Sequence, residues 1–290
     1  MTNKEGKIIK ALSGFYYVLS ENNIIECRAR GNFRNNKIIP LVGDIVTIKK
    51  ENDSLGYIID IQERENELIR PKIANVDYNI IVTSLKEPEF SSKLLDKLIV
   101  LNEYSDVKTI IIFTKWDLLD LEEKLKYEKI FNYYESLGYI ILKNNTEDTD
   151  KLKKYISGKY VSISGQSGSG KSTFINKLSS GKFELETAKI SKMLGRGKHT
   201  TRHIEFHKID DFYIADTPGF SSLDITFIEK EDLKYLFIEF SKEDCKYLTC
   251  NHIDEPNCGV KNILDDSYIL ERYNNYKILF KEKEETKRRY

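Results

Sequence analysis

The sequence predicts a multidomain protein with an N-terminal OB-fold β-barrel, a central α/β domain and a C-terminal α-helical, zinc-binding domain. Three observations carry this prediction. Residues 1–68 are short β-branched and aromatic runs broken by Gly, Asn and Asp. Residues 69–225 alternate strand-like and helix-like segments and contain the stretch GQSGSGKS, Gly165 to Ser172. Residues 226–290 hold a tight Cys/His cluster and end in a long helical pattern.

Composition sets the outer limits. The chain has 290 residues, 40% of them hydrophobic, enough for more than one core. Lys plus Arg and Asp plus Glu are both 46, so bulk charge favours neither an acidic nor a basic partner. No stretch approaches the ~20 apolar residues of a membrane span, and MTNKEGKIIKAL lacks the apolar run of a leader. A cytoplasmic, reducing location is expected, so the four cysteines are not read as disulfides.

In chain order, GFYYVLS, NIIECRAR, DIVTIKK and LGYIIDI read as barrel strands, separated by ENN, GNFRNN and ENDS. YNIIVTSL, KTIIIF, GYIILK and YVSIS read as sheet strands. SSKLLDKLIVLNEY, LEEKLKYEKIFNYYESLG with Gly138 as its cap, DTDKLKKYIS and KSTFINKL read as helices. HIEFHKI and DFYIADTPG close the series as two more strands, in a parallel or mixed sheet. EKEDLKYLFIEFSKE and SYILERYNNYKILFKEKEETKRRY read as C-terminal helices.

GQSGSGKS matches the phosphate-cradling G-x-x-x-x-G-K-S pattern between a buried strand and a helix. Small residues let backbone N–H groups close around a phosphate at a helix N-terminus. Gly165, Gln166, Ser167, Gly168, Ser169, Gly170, Lys171, Ser172 and Thr173 are therefore candidate nucleotide-binding residues. Lys171 is placed to reach the β- and γ-phosphates and Ser172 to bind Mg²⁺. Asp216, at the end of DFYIADTPG, offers a carboxylate to the Mg²⁺ shell, and Gly219 an unobstructed N–H to a γ-phosphate. TKWD, Thr114, Lys115, Trp116 and Asp117, reads as a guanine motif. Asp117 accepts from guanine N1–H and N2–H₂, which adenine lacks, and the Lys115 stem lies along the base. Between these motifs lies GRGKHTTRH, in which Thr200 or Thr201 can bind Mg²⁺ as a γ-phosphate-dependent switch and His199 can assist a water. Residues 182–208 carry seven Lys or Arg against three Glu, a local basic patch. Cys245, Cys250, His252 and Cys258 can close a tetrahedral, structural zinc site, while Cys27 reads as a small apolar core residue.

The base motif precedes the phosphate loop, the reverse of the usual GTPase order. Joining the original ends and cutting between the phosphate and base halves gives this order and keeps both sites together, because they depend on where strand ends lie in space. With PLVGDIV, RPKIANVD, TKWD, GQSGSGKS, GRGKHTT, DTPGF and the Cys/His cluster, the whole chain resembles the circularly permuted, ribosome small-subunit-dependent GTPases of the RsgA (YjeQ) family. The resemblance implies a circularly permuted P-loop GTPase domain and a GTP phosphohydrolase stimulated by the small (30S) ribosomal subunit, acting in its late maturation. It also implies GTP or GDP, Mg²⁺ and one Zn²⁺ as cofactors.

The expected partners are that subunit and its 16S rRNA, with no membrane and a monomeric chain. Arg28, Arg30, Arg34 and Lys37, with Phe33 between them on one expected hairpin, form a candidate RNA contact. Two departures stand out. Thr114 replaces the family's Asn, and no SA-like base motif is recognisable in KNNTED, 143–148. Phe220 follows the DTPG glycine where many GTPases place a water-orienting Gln. Two other readings stay open: a permuted P-loop ATPase or nucleotide kinase, and a GTP-latched RNA-binding protein with negligible turnover.

Overall fold

The computed structural model describes residues 3–30, 33, 39–52, 54–181, 204–216, 223–264 and 267–287. Strands β1 (Asn3–Leu12), β2 (Phe15–Ser20), β3 (Asn23–Ala29), β4 (Ile45–Lys50) and β5 (Leu55–Ile61) close a barrel in the order β1-β2-β3-β5-β4. The only parallel pairing in it, β3 with β5, is the OB-type closure. Alternation does the work: Ile25, Cys27, Val46, Ile48 and Ile58 point inward and are essentially inaccessible. Cys27 packs there as a small apolar residue, its thiol pushed up to about 11 by burial. A register shift between Ile8 and Lys10 marks a bulge in β1.

A short hairpin, β6 (Glu67–Ile69) and β7 (Lys72–Ala74), leads into the central sheet. The sheet strands are β8 (Tyr78–Ser84), β9 (Lys108–Thr114), β10 (Ile140–Lys143), β11 (Tyr160–Ser164), β12 (Phe206–Ile209) and β13 (Phe212–Asp216), in the order β10-β9-β8-β11-β13-β12. All pairings are parallel except β12 with β13, so the expected mixed sheet is observed. Its strands read as near-continuous apolar runs because both faces are covered. The helices of two turns or more among the described residues are α1 (Ser92–Tyr104), α2 (Leu121–Ser136), α3 (Thr146–Ile156), α4 (Lys171–Leu178) and, at the C-terminus, α5 (Ser267–Lys287). Side-chain caps start the first three: Ser91, Asp120 in a capping box with Glu123, and Asn145. Gly138, at φ 98°, ends α2 as expected.

The barrel and sheet share one apolar cluster, in which Ile8, Val18 and Val46 meet Phe206 and Ala215, flanked by Tyr160 and Tyr213. At this seam Lys10 pairs with Glu205 at 2.7 Å. The Lys7 ammonium lies 3.7 Å above the Tyr160 ring, and burial pulls its pKa down to about 8.

The segment EKEDLKYLFIEFSKE corrects the sequence expectation. It forms two 3₁₀ turns, Leu233–Leu236 and Phe240–Lys242, not one helix. Leu233, Phe237 and Phe240 still share the apolar cluster with α5, and the Lys234 ammonium donates to the Cys250 carbonyl at 2.8 Å. The i, i+4, i+7 spacing of those three apolar residues is what made the segment read as a helix. Of the expected basic cluster, Phe33 packs against the barrel core and the Arg28 guanidinium lies 4.6 Å from the Phe15 ring centre. Arg34 and Lys37 lie outside the described residues. No helix among the described residues is long and apolar enough to cross a membrane.

Candidate nucleotide site and metal cluster

The chain runs through β8, β9 and β10 before β11, β12 and β13, yet β8 and β11 are hydrogen-bonded neighbours. TKWD leaves the carboxyl end of β9, and GQSGSGKS leaves the carboxyl end of β11. Only β8 lies between them, at the strand ends where open α/β sheets bind ligands.

The phosphate loop is set by backbone geometry. Gly165 adopts φ 143°, and a Cβ there would lie 2.1 Å from the Val82 carbonyl oxygen, so no larger residue fits. Gly170 then starts α4, whose first residue is Lys171. The Lys171 ammonium donates to the Gly165 and Gln166 carbonyls at 2.7 and 2.8 Å, lying back across the loop. Ser169 Oγ is buried and has no hydrogen-bond partner among the described residues, as expected of a cradle shaped for a ligand. Gln166, Ser167, Gly168, Ser172 and Thr173 are exposed around it.

The base motif is tied directly to this loop. Thr114 Oγ1, 2% exposed, donates to the Ser169 carbonyl at 2.7 Å. Lys115, in the left-handed region at φ 61°, aims its ammonium at the Gly168 carbonyl, 3.4 Å away. Asp117 sits exposed on a single turn, Trp116–Leu118. Trp116 packs on Phe131 at 5.5 Å, with the Lys143 ammonium 4.4 Å from its ring centre. Segment 143–148 becomes the end of β10, the cap and the first turn of α3. Asn144 there anchors to the Phe113 carbonyl through its N–H at 2.9 Å. Asp216 ends β13 opposite Ile163, two residues before Gly165, and its side chain lies outside the described part. His199, Thr200, Thr201, His203, Gly219 and Phe220 also lie outside the described residues.

The second site is in the C-terminal unit. The Cys245, Cys250, His252 and Cys258 ligand atoms all lie within 4.8 Å of one another. His252 Nδ1 is 3.4, 3.5 and 3.3 Å from the three sulfurs, and Cys245 Sγ is 3.9 Å from Cys258 Sγ. A tetrahedral ion with metal–sulfur bonds of about 2.3 Å puts its ligands ~3.5–3.8 Å apart, so the cluster can hold one metal ion. Burial lowers the His252 pKa and favours its neutral, ligating form. Burial alone would raise the Cys245 thiol, but hydrogen bonds from the Gly259 and Val260 amides and from the Cys250 and Cys258 thiols together leave it lowered. Gly259 is required at that spot, since a Cβ would meet the Asp244 carbonyl at 2.5 Å. Tyr273 and Tyr276 of α5 brace the loop by donating to the His252 and Asn251 carbonyls at 2.6 and 2.5 Å.

Sequence reasoning missed the cluster that docks α5. Arg272, 2% exposed, forks onto Glu239 at 2.6 and 3.2 Å and also pairs with Asp96 of α1. Tyr134 and Asn275 donate to Asp96 at 2.9 and 2.7 Å. No local signal marks it, since Arg272 is flanked by Glu271, Asn274 and Asn275.

This fold and site define the class of circularly permuted P-loop GTPases. The chain belongs to the RsgA GTPase family, whose model matches residues 61–226, and the RsgA N-terminal domain model matches residues 5–58. It is 48% identical over 290 residues, 99% of both chains, to the small ribosomal subunit biogenesis GTPase RsgA 2 of Listeria monocytogenes. It is 49% identical over 292 residues, again 99% of both, to the small ribosomal subunit biogenesis GTPase RsgA of Bacillus cereus. Among solved structures it is similar to YjeQ from Thermotoga maritima, with TM-score 0.83 and 34% identity over 97% of this chain and 99% of that one. It is also similar to YloQ, described as a circularly permuted GTPase, with TM-score 0.79 and 40% identity over 98% and 96%.

Proposed function

We propose that this chain binds the small ribosomal subunit and assists its late maturation, hydrolysing GTP to GDP and phosphate at a rate the subunit raises. The observation that carries the nucleotide reading is the Thr114 hydroxyl on the Ser169 carbonyl, which joins a base motif to a phosphate loop in one site. The subunit reading rests on the family and on the full-length relatives. In this reading Lys171 turns from its loop carbonyls to the β- and γ-phosphates, and Ser172, Thr201 and Asp216 hold Mg²⁺. Gly219 meets the γ-phosphate, and Thr200 and His199 belong to the switch. Residues 1–68, 69–225 and 226–290 act as barrel, GTPase and metal-binding domains, with zinc as the metal. The chain works as a cytoplasmic monomer.

Base choice is the direct test. GTP and GDP are expected to outcompete ATP, and Asp117→Asn is expected to weaken guanine binding by on the order of 3 kcal/mol, about a hundredfold, and to favour xanthine. Equal binding of ATP and GTP by the natural chain would remove the assignment.

For 16S rRNA we place the contact on the barrel's outer face. Phe15, Arg28, Tyr57 and Lys49 pair in one row across four strands, alternating ring and cation. Rings stack on unpaired bases and cations meet phosphates. With Phe220 unable to bond a water, intrinsic turnover is expected to be slow and the subunit to accelerate it by well over tenfold. Subunit affinity should be higher with a non-hydrolysable GTP analogue than with GDP, and Arg28→Glu should lower it in a salt-dependent way. Fast turnover by the chain alone, with equal subunit affinity in both nucleotide states, would defeat this reading.

A further inference from the structure

The seam between the two halves of the permuted sheet runs between β8 and β11. On the side facing α1 it carries a closed set of buried polar side chains. Asn79 of β8 pairs across the seam with Ser162. Its carbonyl oxygen accepts from the Ser162 hydroxyl at 3.0 Å. Its amide donates to Ser164 Oγ at 3.0 Å and to Asn102 Oδ1 of α1 at 2.7 Å. The Asn102 amide in turn donates to Thr109 Oγ1 at 2.9 Å. All five are buried, with exposures of 5% for Asn79, 0% for Ser162, 2% for Ser164, 1% for Asn102 and 6% for Thr109.

Apolar side chains would fill this space without needing any of these bonds. A satisfied buried network instead admits one arrangement. Ser164 is the last residue before Gly165, and the Val82 carbonyl of the same strand β8 lies so near Gly165 that no Cβ would fit there. β8 therefore meets the start of the phosphate loop at two points, by close backbone approach at Val82 and by the Asn79 side chain on Ser164. A one-residue slip of β11 would turn both serines to the wrong face and carry the loop ~3.3 Å along the strand.

We propose that Asn79 is a positioning residue for nucleotide binding: through Ser164 it fixes the height of the phosphate loop against the base half of the sheet. This rests on the guanine-nucleotide reading of the site. The test is GDP affinity across Asn79→Ala, Ser164→Ala, Ser164→Thr and the Asn79→Ala/Ser164→Ala double variant, with thermal melting of each nucleotide-free protein alongside. Ser164→Ala is expected to weaken GDP binding by about tenfold, and Ser164→Thr, which keeps the hydroxyl, to restore it. The double variant should bind no more weakly than Asn79→Ala alone, because the second change removes a contact already lost. If Asn79→Ala does not fold, the Ser164 pair decides alone, since equal affinity of the Ala and Thr variants overturns the proposal. Additive losses, or melting shifts at unchanged GDP affinity, also overturn it. A natural chain that binds no GDP would overturn the functional reading and this role with it, whereas a natural chain that binds GDP beside an unresponsive series overturns the positioning role alone.

Discussion

Removing the metal from the Cys245–Cys258 cluster is expected to unfold the loop it organises, with an effect on the order of 10 kcal/mol at that site. Besides the ligands, the loop's backbone is held by the α5 hydroxyls of Tyr273 and Tyr276, by the Lys234 ammonium on the Leu248 and Cys250 carbonyls and by the Glu255 carboxylate on the Asn251 and Ile253 N–H groups. Without an ion, however, three sulfurs and an imidazole crowd together. Freshly purified protein should carry about one zinc per chain by elemental analysis. Cys250→Ser should lose it and make the C-terminal unit sensitive to proteolysis while GDP binding persists, because no phosphate-loop or base-motif residue belongs to this unit. Absence of zinc, or unchanged protease resistance after its removal, would contradict this expectation.

The second large effect is expected at Arg272. Its guanidinium answers two carboxylates, Asp96 and Glu239, with 0% and 6% of their side chains exposed, and lies 5.2 Å from the centres of both the Tyr134 and Phe237 rings. Arg272→Met leaves both acids buried without their cation, a loss of about 3–5 kcal/mol. Arg272→Lys should recover only part of it, since one ammonium cannot fork onto Glu239 and reach Asp96 together. Burial already raises the Asp96 pKa in the intact protein. Without the arginine's charge the Asp96 carboxyl titrates still further above its unfolded value, so the unfolded state holds fewer protons above pH ~4. The deficit then grows as pH rises through the ordinary carboxylate range and shrinks as it falls. Denaturant unfolding at two pH values measures this, and a deficit independent of pH would refute it.

The rhythm of the barrel and sheet was legible because strands covered on one or both faces must alternate or run apolar. The phosphate loop, base motif and Cys/His cluster were legible because their chemistry fixes residue type at short spacing. β1 was not read as a strand, since its outward Lys, Glu and Asn side chains disguise the alternation of a barrel strand exposed on one face. The docking cluster was invisible for a different reason. Asp96 and Arg272 are 176 positions apart, and each alone looks like a solvated helix charge. The same holds for Asn79, whose partners Asn102 and Ser164 lie 23 and 85 positions away. Periodicity reports local faces, whereas these contacts exist only once distant elements pack.

The sheet order also governs how the molecule can be made during synthesis. A nascent chain releases the barrel strands first, so that unit can close before any of the sheet emerges. The sheet then begins as the β8–β9 pair, and β10 adds beside β9. β11 joins the opposite flank, followed by the β12–β13 hairpin. Every addition is to an open flank, and no strand has to be threaded between two already paired. Until β11 arrives, however, β8 shows Ile80, Ile81 and Val82 along an unpaired edge, the kind of surface that recruits other chains. That edge stays open while α1, β9, α2, β10 and α3 are made. The permuted order therefore leaves the partly translated protein with a sticky edge for most of the time its sheet takes to emerge.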